Sequence, residues 1–199
     1  MGAAETNLYL AEFALLGASV SESAESYFSR GIEMSVREYD MLAKKNQINY
    51  YGNTYDYDSN EAVIDLKDGE IETMLANEDY QLTGSTDEKL EKVYIQQMLN
   101  FTLYPYDAFV TSRRSGMPKF GSKFIAREDF ATVPVTEIPR RMHTGVPNET
   151  SLMYEVTMAS LEAQGFTATA QGDVNTSILN SERVWQDKGA PQWGEGPKN

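Results

Sequence analysis

Apolar residues at Leu8, Ala11, Leu15 and Leu16 recur at the spacing of one helix face. Gly17 follows where a helix commonly ends in a left-handed residue. Ser19 and Glu22 make an S-x-x-E pattern, which predicts a capping box opening a second helix. Ala24, Phe28, Ile32 and Val36 then repeat every fourth position, and Tyr39 follows at three. Two complementary apolar faces joined by a short link predict an antiparallel helical hairpin over residues 5–44. Its length is that of one tetratricopeptide-type unit, and the pattern does not recur along the chain.

Residues 45–67 lose this period. They are polar, rich in Asn and Tyr, and carry turn formers. A short helix is predicted at 69–77. Ser85 and Glu88 form a second capping box, opening a helix through Leu90, Val93, Tyr94, Gln97, Met98 and Phe101. Pro105 suits the first turn of a further helix, which should end near Arg113 and Arg114, before Gly116 and Pro118. Residues 117–147 hold four prolines and no convincing strand. A last helix is predicted from Pro147-Asn148-Glu149 through Leu152, Val156, Ala159 and Leu161 to Gly165. The pattern as a whole predicts an all-α fold: one hairpin, further helices and long ordered loops. So much loop points to a surface built for binding or held against a larger partner.

Composition narrows the chemistry. The 199 residues include 30 acidic and 17 basic side chains, a net charge of −13, one His and no Cys. The length suits one domain, or one and a half. Without Cys there is no thiolate metal site, no Cys nucleophile and no disulfide scaffold. One His cannot supply a two-histidine zinc motif, so neither metal nor cofactor is expected. The acidity argues against nucleic acid as a partner, since phosphate contacts need clustered Lys and Arg. The longest apolar run, residues 13–18, is far too short to span a bilayer. The start shows no basic-then-apolar leader and runs almost at once into helix. That reads as a chain beginning inside a larger protein, with Met1-Gly2 as a junction.

Several stretches, taken in order, resemble one family. They are Tyr94-Ile95-Gln96-Gln97-Met98-Leu99-Asn100, then Ala108-Phe109 and Arg113-Arg114-Ser115-Gly116-Met117-Pro118-Lys119. Next come Ile138-Pro139-Arg140-Arg141-Met142 with Pro147-Asn148-Glu149, and the terminal Val184-Trp185-Gln186-Asp187-Lys188. The first hairpin adds Leu8 to Gly17 and Tyr27-Phe28-Ser29-Arg30-Gly31-Ile32-Glu33-Met34-Ser35. Together these resemble the C-terminal portion of SusD/RagB proteins. Phe109 stands where that family usually has Trp, Ser115 where it has Thr, and Gly145-Val146 where an aromatic often precedes the proline.

The resemblance implies a surface-exposed outer-membrane lipoprotein that binds glycan or another nutrient without chemistry of its own. Its partner would be a SusC-like TonB-dependent transporter, and its only membrane attachment a lipid anchor upstream of this segment. It also implies that residues 5–44 are the hairpin, 45–85 a variable aromatic region and 86–199 the family's C-terminal region. The alternative is a docking module of the same complex with no ligand site of its own.

Four of the twelve tyrosines, Tyr50, Tyr51, Tyr55 and Tyr57, fall within eight positions. Sugar C–H faces stack on such rings, and Asp56 and its polar neighbours could pair with hydroxyls. Tyr51, Tyr55, Asp56 and Tyr57 are therefore the candidate ligand-binding residues; the plainer alternative is that these rings anchor the loop. Asp56-x-Asp58-x-Asn60 starts like a calcium loop, but Glu61 and Lys67 stand where Gly and Glu are needed. Arg113-Arg114 and Arg140-Arg141 suit either an anionic ligand or, more simply, carboxylates and helix C-terminal carbonyls of their own chain. His143 has no G-x-S-x-G nucleophile elbow to work with. The abundant carboxylate pairs read as solvated faces rather than a glycosidase pair. Trp185 is expected to pin the C-terminus, and Trp193, among Gly and Pro, to lie loose.

Overall fold

The computed structural model describes residues 2–46, 66–125, 140–169 and 175–197. Seven α-helices lie in these residues, with no strand: α1 Ala3–Leu15, α2 Ala24–Lys45, α3 Glu70–Leu75, α4 Thr86–Asn100, α5 Pro105–Ser115, α6 Tyr154–Ala163 and α7 Thr176–Ser181. Single 3-10 turns stand at Glu78–Tyr80 and Trp185–Asp187. The chain divides into two compact units, Met1–Thr111 with Pro197–Asn199, and Ser112–Gly196.

The first unit is built on α1. Leu8 and Ala11 are fully buried and face Phe28 and Ile32 of α2 in one apolar cluster. Gly31 lets the two helices close: a β-carbon there would lie 2.8 Å from the Leu8 side chain. Asn7 meets Met34 and Leu8 meets Gly31, so the pair is antiparallel, as the apolar spacing predicts. The predicted Ser19–Glu22 box does not open α2. Ser23 is the cap, accepting from the Ser26 N–H, and Glu22 instead takes Ser26 Oγ and the Arg30 guanidinium. Both patterns offer an acceptor three residues ahead of a free N–H, and the later one sits at the first helical turn.

α4 also packs against α1, its Val93 joining the same apolar cluster, and its polar contacts fix the register. The buried Glu12 carboxylate accepts from Tyr94 Oη at 3.1 Å and from Gln97 Nε2 at 2.8 Å. Lys92, also buried, donates its ammonium to the carbonyls of Glu78 and Gln81. The Ser85–Glu88 capping box forms as predicted: Glu88 N–H donates to Ser85 Oγ and Ser85 N–H to Glu88 Oε2. At the far end Tyr39 Oη donates to the Asn100 carbonyl, one of the acceptors a helix terminus leaves open.

The second unit has little apolar core among its described residues: Met117, Leu161 and Leu179. Arginine–carboxylate pairs tie its loops instead. Arg140, 1% exposed, makes a bidentate pair with Asp187, at 2.6 Å from Nε and 2.6 Å from a terminal nitrogen. Arg113 and Arg140 each donate to the other's backbone carbonyl. Arg183 reaches the carbonyls of Asp187 and Ala190. Arg141 pairs with Glu182 at 2.6 Å and lies over the Phe166 ring. Glu182 also accepts from the Thr167 N–H and hydroxyl.

Gly116 ends α5 at a φ of 72°, and a β-carbon there would lie 2.7 Å from the Gln192 carbonyl oxygen. Only glycine allows that approach, which brings Gly194 N–H onto the Gly116 carbonyl.

Two expectations are reversed in this unit. Trp185 is 78% exposed, while Trp193 sits edge-on to Phe120 with ring centroids 5.8 Å apart. The 3-10 turn holds Asp187 inward against Arg140 and leaves Trp185 outside; Asp187 does the pinning. The helix predicted from Pro147 also starts late, at Tyr154, and a further short helix, α7, follows it unpredicted. Asn148 Oδ1 takes the Thr150 N–H and hydroxyl, a local turn that competes with helix. Of the predicted apolar face only Leu161 is buried, and Leu152 is 100% exposed.

Candidate functional site

A cleft of about 250 Å³ opens in the first unit, where the start of α1, the C-terminal half of α2 and the α4–α5 connection meet. Gly2 and Glu5 come from the chain start, Glu38, Tyr39 and Leu42 from α2, Asn100 from the end of α4, Phe101, Leu103 and Tyr104 from the connection, and Asp107 from the first turn of α5. The register that fills the core makes this arrangement. Antiparallel packing of α1 and α2 sets residue 2 beside residue 38: a β-carbon on Gly2 would lie 3.6 Å from a Glu38 carboxylate oxygen. Glu5 Oε2 accepts the Gly2 N–H at 3.0 Å. The Tyr39–Asn100 hydrogen bond joins α2 to the end of α4, so the Tyr39 hydroxyl is engaged and its ring is left as wall. Phe101 is buried beneath, whereas Leu103, Tyr104 and Asp107 stand exposed.

The cleft combines apolar and aromatic surface with carboxylate acceptors. That mixture suits a polar molecule with flat C–H faces and hydrogen-bond donors. Among the described residues no group of three or more His, Cys, Asp or Glu is placed to hold a metal ion.

The tyrosine-rich candidates Tyr51, Tyr55, Asp56 and Tyr57 lie outside the described residues. The flanks of that stretch are described: Asn46 caps the end of α2, and Leu66 N–H donates to Asp40 of the same helix at 3.2 Å. Both flanks thus attach to the C-terminal half of α2, the half that also contributes Tyr39 and Leu42 to the cleft. Of the arginine pairs, Arg113, Arg140 and Arg141 serve the second unit's own carboxylates and carbonyls, the simpler of the two alternatives. His143 is exposed in its loop.

Comparison with known families is decisive. Residues 1–169 match the SusD-like family, described as SusD and RagB outer membrane lipoprotein. The chain belongs to the SusD/RagB family. It is a family of nutrient-binding outer-membrane lipoproteins rather than enzymes. The match stops before Trp185-Gln186-Asp187-Lys188, the last stretch of the sequence resemblance. No curated protein and no solved structure matches the chain.

The hairpin, the α4 capping box and the α5 stop of this SusD-like chain were all legible in its sequence. The cleft was not. Tyr39 reads as a core position of α2, and Tyr104-Pro105-Tyr106 as a helix start. The one available signal was an aromatic and a leucine exposed next to a proline turn, Leu103-Tyr104-Pro105.

Proposed function

We propose that this SusD-like segment captures a glycan or similar nutrient at the cell surface and passes it to a SusC-like TonB-dependent transporter, with no turnover of its own. The observation that supports this most is the cleft's lining, with tyrosine rings and leucines beside carboxylates. Tyr104 offers a face for stacking, and Glu38 and Asp107 accept hydroxyl donors. Tyr51, Tyr55, Asp56 and Tyr57 contribute further contacts, since both flanks of their segment attach to the helix that carries Tyr39.

Calorimetric titration with a panel of neutral oligosaccharides tests the reading. Tyr104→Ala should weaken binding by about 0.5–1.5 kcal/mol, the range for an aromatic contact. The exposed position of Tyr104 leaves the fold intact. Equal affinity in the variant, or release of product from any panel member, would overturn the proposal.

A second reading has its own support. Tyr106, Phe109 and Val110 stand exposed along α5, Tyr106 at 85%. An apolar helix face of this kind suits docking to the transporter. Phe109→Ser should then weaken complex formation and leave oligosaccharide affinity unchanged.

A further inference from the structure

We propose that the cleft selects its ligand by charge, admitting neutral and amine-bearing saccharides and rejecting uronates and other acidic sugars. The inference rests on the binding role proposed for this cleft and adds the class of ligand.

Among the described residues three carboxylates, Glu5, Glu38 and Asp107, line the cleft, and no Lys, Arg or His does. An ionised carboxylate only accepts hydrogen bonds, so it pairs with hydroxyl and ammonium donors and repels an acidic sugar. The cations of α2 and α4 stand outside the lining. Arg30 pairs with Glu22, Arg37 with Glu33 and Lys44 with Asp40. Lys92 is buried against the Glu78 and Gln81 carbonyls. Lys89 lies near the opposite end of α4, and Lys45, in the last turn of α2, is exposed and outside the lining. The cavity therefore holds negative charge against partly apolar walls, where field lines are less screened than on an open surface. The chain's net charge of −13 adds a field of the same sign.

The test uses the whole 199-residue protein, isotope-labelled, and follows amide shifts of Asn100, Leu103, Tyr104 and Asp107. Three tetrasaccharides serve as probes: of glucosamine, of N-acetylglucosamine and of galacturonic acid, at low and high salt. The expected order of affinity is amine, then neutral, then acidic. Steps should be on the order of tenfold at low ionic strength and shrink at high ionic strength. Glu38→Gln combined with Asp107→Asn should narrow the spread between amine and acid several-fold while the neutral probe changes least.

Outcomes separate the two ideas. Saccharides that shift the cleft amides with the galacturonate as tight as the neutral probe would overturn the charge selection and leave the binding role standing. A spread unchanged in the double variant would do the same, because the charge would then act from elsewhere. No shift at the cleft with any probe would overturn both.

Discussion

The two units of this chain are held together by different physics. The first buries thirteen apolar residues among those described, from Ala4 to Phe101, and the second buries three. In the first, a helical array forms around Leu8, Phe28 and Val93, and polar contacts such as Glu12–Gln97 fix register. In the second, loops are cross-linked by Arg140–Asp187 and Arg141–Glu182. Burying apolar side chains contributes about 1.5–3 kcal/mol each and tolerates small errors of fit. A buried ion pair is close to neutral when intact and severe when broken. The second unit should therefore fail at single residues, and the first by degrees.

The strongest way to break this contrast is Asp187→Ala. It strands the Arg140 guanidinium, 1% exposed, without its carboxylate. Losing one partner of a buried pair costs about 3–5 kcal/mol. Both tryptophans, Trp185 and Trp193, belong to the second unit, so tryptophan fluorescence reads that unit alone. Far-ultraviolet dichroism weights the longer helices α1, α2 and α4. Asp187→Ala should move the fluorescence transition to much lower denaturant and the dichroism transition far less. Transitions that move together by equal free energy would show that the units are not distinct in this way.

The contrast also explains what was legible in the sequence. Helix caps and apolar spacing are local, so the hairpin, the Ser85–Glu88 box and the Pro105 start could be read from neighbours three and four positions apart. Ser19 misleads because a second cap pattern, Ser23 to Ser26, stands four residues on and is the one that opens α2. The arginine network was legible in kind only: cations near the end of α5 call for carbonyls and carboxylates, but Asp187 and Glu182 lie more than forty positions from Arg140 and Arg141. Trp185 and Asp187 exchange roles because a 3-10 turn decides which of them faces in, and no period announces that turn. The cleft draws on residues 5, 38, 39, 100 and 104, which packing alone assembles.

A milder test enlarges one closely approached glycine in each unit. Gly31→Ala places a methyl group 2.8 Å from Leu8, a side chain that can shift, and should cost about 1–3 kcal/mol by dichroism. Gly116→Ala meets backbone, the Gln192 carbonyl at 2.7 Å, and also forces alanine to a positive φ. Its effect on the fluorescence transition should be the larger of the two. An equal or smaller effect would mean that the Gly116 turn can open without loss.

The smallest effect expected is on acid sensitivity, and its sign follows from two glutamates. Burial pushes the Glu182 carboxyl up, but hydrogen bonds from Thr167 and Arg141 outweigh it and hold the group below its ordinary 4.5. Glu22, in the first unit, is lowered to about 2, chiefly by its hydrogen bond to Arg30, with Ser26 adding to it. A carboxyl depressed in the folded state contributes stability that is full above its unfolded value and is lost as pH falls through its folded value. For Glu22 that window runs from 4.5 down to about 2; for Glu182 it lies below 4.5. Glu22 is the more shifted of the two, yet it lies at the surface, where solvent and salt screen the pair. Glu182 is partly buried with Arg141 beneath it. Glu182→Gln should therefore flatten the acid branch of the fluorescence-monitored stability curve, and Glu22→Gln should leave the dichroism-monitored curve almost unchanged at physiological salt. A larger change from Glu22→Gln would mean that the surface pair, not the buried one, governs the acid response, and the proposed division between the units would not extend to their electrostatics.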